Sequence, residues 1–446
     1  DALFGNSPYL TESALQDPSF TADLWTRGPD AVMQDLRREL AAESDATPEQ
    51  AAVLLRRLKR KAAFTIAVAD IAGAWPLERI TGELSGLASG CLDALTAALM
   101  RRDPLLSALT VIGMGKLGAG ELNYSSDVDL ILLYDRDAPA IAANDQAGRI
   151  MVRAARLLVQ LMSESSVDGY IFRTDLRLRP DPGSTPLAMS VQAAELYYES
   201  VGQNWERAAM IKARVCAGDP AEGAAFLQNL QPFIWRKYLD YAAIEDIHSI
   251  KRQIHAHGGH GAIRVPGHNI KLGRGGIREI EFFVQTQQLI AGGRNPVLRG
   301  RETLKMLQVL AEGGWIGEEA RGELDADAVG LDLVSARIRQ RERHLRHHAR
   351  RGQTLPRTIT IGGVVVVAAA PLRVEPDGPS ADGAPRDLLR RRLRARGDGH
   401  DAADPRRIAP SSERAMRVRV QPEGRLVVLA AVASGLDVDV EVDMDG

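Results

Sequence analysis

The stretch VIGMGKLGAGELNYSSDVDLILLYD, from Val111 to Asp135, constrains the fold more than any other part of the chain. It joins two apolar, β-branched runs of strand length through a segment rich in Gly, Ser and Asn, and such runs become buried strands. Two architectures follow from the same letters. In the first, Gly113, Gly115 and Gly118 spell the G-x-G-x-x-G of a dinucleotide-binding turn, with Asp135 near the place of a ribose partner. That reading requires an unbroken helix after the turn, and AGELNYSSDVD interrupts it with Gly120, Asn123 and two serines. A helix running unbroken from Gly118 would restore it. A Walker A loop is excluded, because Leu117 and not Ser or Thr follows Lys116.

The second architecture puts Asp127 and Asp129 at the head of a strand. Residues two apart in a strand share a face, so both carboxylates project together while Val128 and Leu130 enter the core. Paired carboxylates hold divalent ions in phosphoryl-transfer sites, where two ions sit about 3.5–4 Å apart. IFRTDLRLRP supplies a third acid, Asp175, on an alternating strand expected to run as far as Pro180. Like charges side by side destabilise a sheet unless a cation intervenes. Gly113 and Gly115 let backbone N–H groups approach phosphate oxygens, and Lys116 adds a point charge. Arg177 and Arg179 lie on the strand of Asp175, and Arg177 on its face would offset the acids or grip a phosphate. The competing readings are a solvated strand end without metal and a plain surface arginine.

Composition narrows the classes. A length of 446 residues allows two or more domains. A formal net charge of −2 offers no basic excess for a nucleic-acid surface, and leaves room for one local anion pocket. Cys91 and Cys216 cannot build a disulfide framework and lack the spacing of a metal site. No apolar run reaches membrane-spanning length and no signal peptide is evident, so a cytoplasmic protein that binds neither membrane nor nucleic acid is expected. The chain opens DALFGNSPYL without methionine, which suits a piece of something longer.

Along the chain, residues 1–100 carry helical periodicity, as in DAVMQDLRRELAAES and PEQAAVLLRRLKRKAAFTIAVADIAG. Strand and helix patterns alternate over roughly residues 105–190, helical periodicity returns from SVQAAELYYESVGQNWERAAMIKARV to about Leu310, and domain bounds are expected at 101–220 and 221–340. The expected class is α+β, a small mixed sheet flanked by N- and C-terminal helical regions. Residues 341–446 differ in kind. No aromatic follows Trp315 and no lysine follows Lys305, while Arg, Ala, Asp and Gly abound. Such a segment has poor means of building a dense core. It is expected to be disordered or aberrant, even read out of frame, with isolated strands in VVVVAAA and LVVLAAVASGLDVDVEVDMDG. His255, His257 and His260 form a possible metal set or a solvated loop.

The motifs GMGKLGAGELNYSSDVDL, FRTDLRLRPDPGSTPL, YYESVGQNWERAAMIKARVCAGD and NIKLGRGGIREIEFFVQ resemble the bacterial bifunctional glutamine synthetase adenylyltransferase/adenylyl-removing enzyme family, over roughly residues 1–315. The likeness is to the N-terminal half of a family built from two tandem nucleotidyltransferase halves of the DNA polymerase β-like superfamily. It implies phosphorolytic removal of AMP from a tyrosine of glutamine synthetase, consuming inorganic phosphate and giving ADP, in the control of nitrogen assimilation. AMP transfer from ATP to that tyrosine, or an inactive regulatory module, remains an alternative. The resemblance also implies a pair of Mg²⁺ ions on Asp127, Asp129 and Asp175, and a PII-type regulatory partner. Gly115, Lys116 and Ser126 match the family's loop, and Trp205, Glu206, Arg207, Lys212 and Arg214 its next motif. Lys271, Gly273, Arg274, Gly275, Gly276, Arg278, Glu279 and Glu281 match the last. Lys212 and Arg274 are thereby implied in nucleotide or phosphate contact, and Trp205 is expected in the core. RIRQRERHLRHHARRGQTLP departs from the family's continuation.

Overall fold

The computed structural model describes residues 7–42, 44–236, 276–317, 321–322 and 324, together with five short strands further on. It divides into two units, Asp1–Arg341 and Glu342–Gly446.

Four helices open the first unit: α1 (Pro8–Gln16), α2 (Pro18–Ala41), α3 (Pro48–Ile71) and α4 (Leu77–Arg102). The first three begin with proline, where the missing N–H would be unpaired anyway. Side chains of Ser7, Asp17 and Thr47 cap them in turn. Along α4, Ile80, Leu84, Leu87, Cys91, Leu95 and Leu99 recur at steps of three and four and are all buried. This is an amphipathic stripe turned to a core.

The sheet follows. Strand β1 (Leu109–Gly113) leads through the one-turn helix α5 (Gly115–Ala119) to β2 (Val128–Tyr134). Then come α6 (Ala147–Ser163), β3 (Thr174–Asp175), β4 (Ala188–Ser190), α7 (Val191–Ser200), α8 (Asn204–Met210) and β5 (Arg214–Gly218). The strand order is β3–β2–β1–β5, with β4 also on β2. β1 is antiparallel to β2 and β5, whereas β3 and β4 run parallel to β2. The mixed sheet flanked by helices is the α+β architecture expected.

The dinucleotide reading fails here. α5 stops at Ala119, Gly120 turns left-handed at φ 77°, and β2 returns antiparallel to β1. A dinucleotide fold needs a long crossover helix and a parallel return.

Both faces of the sheet are covered. Val128, Leu130 and Leu132 join the core of the N-terminal helices and α6. Ile131 and Leu133 point the other way, among Val191, Tyr198 and Phe226. Asp129 continues the second row toward the strand's beginning, by strand alternation.

Two expectations about strands need correction. The third strand was expected to extend to Pro180, yet β3 holds two residues, because the Asp175 carboxylate accepts the backbone N–H of Arg177 at 2.8 Å and turns the chain. The segment RVCAG was read as helical, yet it is β5, paired with β1. Beyond it lie α9 (Pro220–Asn229), α10 (Gln231–Ile234), α11 (Ile277–Ala291) and α12 (Thr303–Glu312). The last two share a small core of Ile280, Val284, Met306, Leu307 and Leu310. No helix among the described residues is long and apolar enough to cross a membrane.

In the second unit, β6 (Thr358–Ile361) and β7 (Val364–Val367) form an antiparallel pair. A three-stranded antiparallel sheet joins β8 (Val418–Val420), β9 (Leu426–Ala431) and β10 (Asp437–Glu441). The valine runs singled out in the sequence thus form strands.

Candidate active site

Two of the acids stand together where β2 and β3 run side by side. Asp129 stands opposite Asp175 in the parallel register, next to Val128 opposite Thr174. The Thr174 hydroxyl lies 3.0 Å from that of Ser163 on α6. Thr174 therefore faces α6, and alternation sends Asp175 to the opposite face, with Asp129. Asp127, two residues before Asp129 and exposed, accepts a 2.6 Å hydrogen bond from Nε of Arg173. The same guanidinium donates through Nη2 to the carbonyl of Ser125 at 2.6 Å, clamping a residue held at a φ of 61°. Arg173 was not singled out by sequence, yet it fixes the approach to the strand. Its place two residues before Asp175 was the available signal.

Arg177 pairs with Asp175, with Nε 2.7 Å from Oδ2. Its guanidinium is held above the ordinary arginine range, first by the hydrogen-bonded Asp175 and then by the charges of Asp129 and Asp127. All three acids thus act on one cation. Arg179 instead donates to the carbonyls of Leu176 and Pro182, at 2.9 and 2.7 Å, and stiffens the following loop.

An all-oxygen donor set of carboxylates has the right chemistry for a hard divalent ion, and Arg177 already brings one cation onto Asp175. Among the described residues, however, no three His, Cys, Asp or Glu side chains are drawn close enough together to hold a metal ion. Arg173 lies on Asp127 and Arg177 on Asp175. Donor type fits Mg²⁺; the closed cage expected from sequence is not formed by these side-chain positions.

The Gly-Lys turn abuts the acids. The Met114 N–H donates to the Asp129 carbonyl at 2.8 Å. Gly115 has a φ of 53°, and a Cβ there would come within 2.8 Å of Asp129 Oδ2. A Cβ on Gly113 would collide with Cys216 Sγ, and one on Gly118 with the carbonyl of Lys212. The glycines are thus required by close packing around β1 and β5. Arg214 braces the turn from below, donating to the carbonyls of Leu117 at 2.9 Å and Gly118 at 3.2 Å. Ser126 sits in the bend before Asp127, its N–H on the Asn123 carbonyl at 3.1 Å.

The remaining candidates lie deeper. Lys212 is 4% exposed, with Nζ 2.8 Å from Glu281, 3.0 Å from the Thr303 hydroxyl and 3.3 Å from Glu121. Glu206 and Arg207 are buried, and Trp205, expected in the core, is 37% exposed instead. Helical spacing explains the exchange: Glu206 caps its own helix at the Gln203 N–H, 2.8 Å away, and Arg207 reaches inward to the Phe233 carbonyl at 2.9 Å. Burial pushes the Glu206 carboxyl above the ordinary range, against the hydrogen bonds from Gln203 and Tyr197. Arg274 and the histidines 255, 257 and 260 lie outside the described residues.

Residues 1–229 match the family model of glutamate-ammonia ligase adenylyltransferase, which takes in the whole five-stranded sheet and the described candidates other than those of the last motif, such as Arg278, Glu279 and Glu281. The chain belongs to this family. Residues 248–356 match a second model, GlnD PII-uridylyltransferase. Among similar proteins are bifunctional glutamine synthetase adenylyltransferase/adenylyl-removing enzymes of three bacteria. That of Mesorhizobium japonicum is 52% identical over 340 residues, covering 72% of this chain and 34% of the relative. That of Rhizobium meliloti is 51% identical over 347 residues, covering 72% and 35%. The Brucella suis protein is 48% identical over 354 residues, covering 76% and 36%. The chain thus spans about a third of the length of these family members.

Proposed function

We propose that this chain is a nucleotidyltransferase acting on glutamine synthetase, and that it removes AMP from an adenylyl-tyrosine by phosphorolysis. The observation that most supports this reading is the register of Asp129 against Asp175 beside the Gly-Lys turn, in a chain of this family. An oxygen of inorganic phosphate bonds to the AMP phosphorus, the bond to the tyrosyl oxygen breaks, and ADP and free tyrosine leave. Asp127, Asp129 and Asp175 would hold Mg²⁺, which when bound supplies Lewis-acid neutralisation of the phosphoryl oxygens. Arg177 presents a planar fork to phosphate oxygens and Lys116 a point charge. Gly113, Gly115 and Ser126 shape the turn that receives them. Arg274 belongs to the proposed anion-binding set, and a PII-type protein is the proposed regulatory partner. Tyrosine, with an ordinary pKa of about 10, is a modest leaving group, so charge on the transferred phosphoryl group must be well compensated.

The matched family is described by the opposite direction, adenylyl transfer, and ATP with unmodified synthetase is the substrate pair for that second reading. Incubation of the chain with adenylylated synthetase, phosphate and Mg²⁺, in parallel with unmodified synthetase, ATP and Mg²⁺, separates the two. ADP release in the first arm is expected. Asp129→Asn should lower it by about a hundredfold or more while circular dichroism stays unchanged. Undiminished ADP release by that variant would overturn the assignment.

A further inference from the structure

An ammonium group carries three N–H donors, and Lys212 meets three protein oxygens, on Glu281, Thr303 and Glu121. Its donors are matched one to one, which leaves none for a phosphate. Glu121 in turn accepts the Thr303 N–H at 2.6 Å and its hydroxyl at 3.0 Å. One buried cation thereby joins α11, the start of α12, the segment after α5 and the residue pair before β5. Arg301 adds a bond to the Ala213 carbonyl at 2.9 Å. On the other side, the Lys212 carbonyl packs so closely on Gly118 that no side chain fits between them. Gly118 lies in the same one-turn helix as Lys116. The Lys116 charge also reaches Glu281, where it is one of the cations that depress the carboxyl against the effect of burial.

Buried ion pairs seldom stabilise a fold better than apolar residues of equal volume. An apolar contact would serve to dock α11, so the charges at this point call for another role. We propose that Glu281 is a positioning residue for phosphate binding, which through Lys212 fixes the α5 turn and hence the place of the Lys116 ammonium. This assignment rests on the phosphorolysis proposed above, and it makes Lys212 a pivot and not an anion ligand.

A double-mutant cycle on the full chain tests it, with ADP formation from adenylylated synthetase measured against phosphate concentration. Glu281→Gln should raise KM for phosphate by about tenfold with a smaller change in kcat, the pattern of lost ground-state binding. In a Lys116→Ala background the same substitution should change KM by less than about twofold, because the group it positions is gone. An equal effect in both backgrounds would mean that Glu281 only supports the fold, and would overturn the proposal, as would a wild-type KM in Glu281→Gln. Should Glu281→Gln fail to fold, Glu281→Asp, with its charge retained one methylene shorter, carries the same cycle. Absence of phosphate-dependent ADP from the wild type would instead remove the phosphorolysis reading itself, and this assignment with it.

Discussion

Gly118 shows how much one missing methyl decides. Its Cβ position is occupied by the backbone carbonyl of Lys212, with the Gly113 carbonyl also in contact range. Neither is the flexible end of a side chain, so Gly118→Ala cannot be absorbed by a rotamer change. We expect it to cost about 3 kcal/mol, at the upper end of overpacking penalties, as read by urea melts. At Gly82, where a Cβ would meet nothing within 4 Å, alanine should be neutral to stabilising by the same measure. The glycine spacing was legible in the sequence, but its cause was not. G-x-G-x-x-G suggests an anion turn, whereas Gly113 and Gly118 are needed for the approach of Cys216 and Lys212, residues about a hundred positions away. The pairing of Asp129 with Asp175 was within reach of strand alternation, a local rule, whereas Asp127 lies just before β2 and does not close the expected cage among the described residues. Arg173, Glu121 and Thr303 were not, because only tertiary contact gives them partners.

Between elements, the bond of α11 to the five-stranded sheet's edge segments carries a pH signature. Burial alone would lower the Lys212 ammonium, yet the charges of Glu281 and Glu121 outweigh it and raise it above the lysine range. Burial would likewise raise Glu281, and Lys212 with Lys116 outweighs it, so that its folded value lies below the usual 4.5. A depressed carboxyl contributes stability above its unfolded value that disappears as pH falls through its folded value. The raised lysine contributes stability below its unfolded value, lost only in strongly alkaline solution. The stability gap between wild type and Glu281→Gln should therefore be full at pH 6–7 and shrink progressively below pH 4.5. Denaturant melts across that range measure it, and a gap independent of pH would contradict the pairing. At this scale the helices α2 to α4 and α6 were readable from periodicity. β5 was missed because RVCAG is a short apolar run, and such runs do not distinguish helix from strand. β3 was overextended because the Asp175 side chain diverts its own backbone.

For the first unit as a whole, one core runs from Leu10 on α1 through α4 and α6 to Ala217 on β5. The end of helical periodicity near residue 100 marks a change of secondary structure within that core. Deletion of residues 1–102 would strip α1 to α4 from one face of the sheet and leave Leu109, Val111, Val128 and Leu130 with only the part of their cover that α6 supplies. We expect such a truncation to be insoluble or molten, judged by near-ultraviolet dichroism and dye binding. A cooperative melt from residues 103–341 would refute it.

The partners of β1 come from far apart in the chain, 128–134 on one side and 214–218 on the other. During synthesis, the central strand therefore waits with one edge bare until about a hundred further residues have left the ribosome. Its long-range closure is a slow step by topology, and an exposed apolar edge invites mispairing in the meantime. The helices made before it already blanket one side of that waiting strand. Their position ahead of the sheet in the chain gives the nascent sheet a chaperone of its own making.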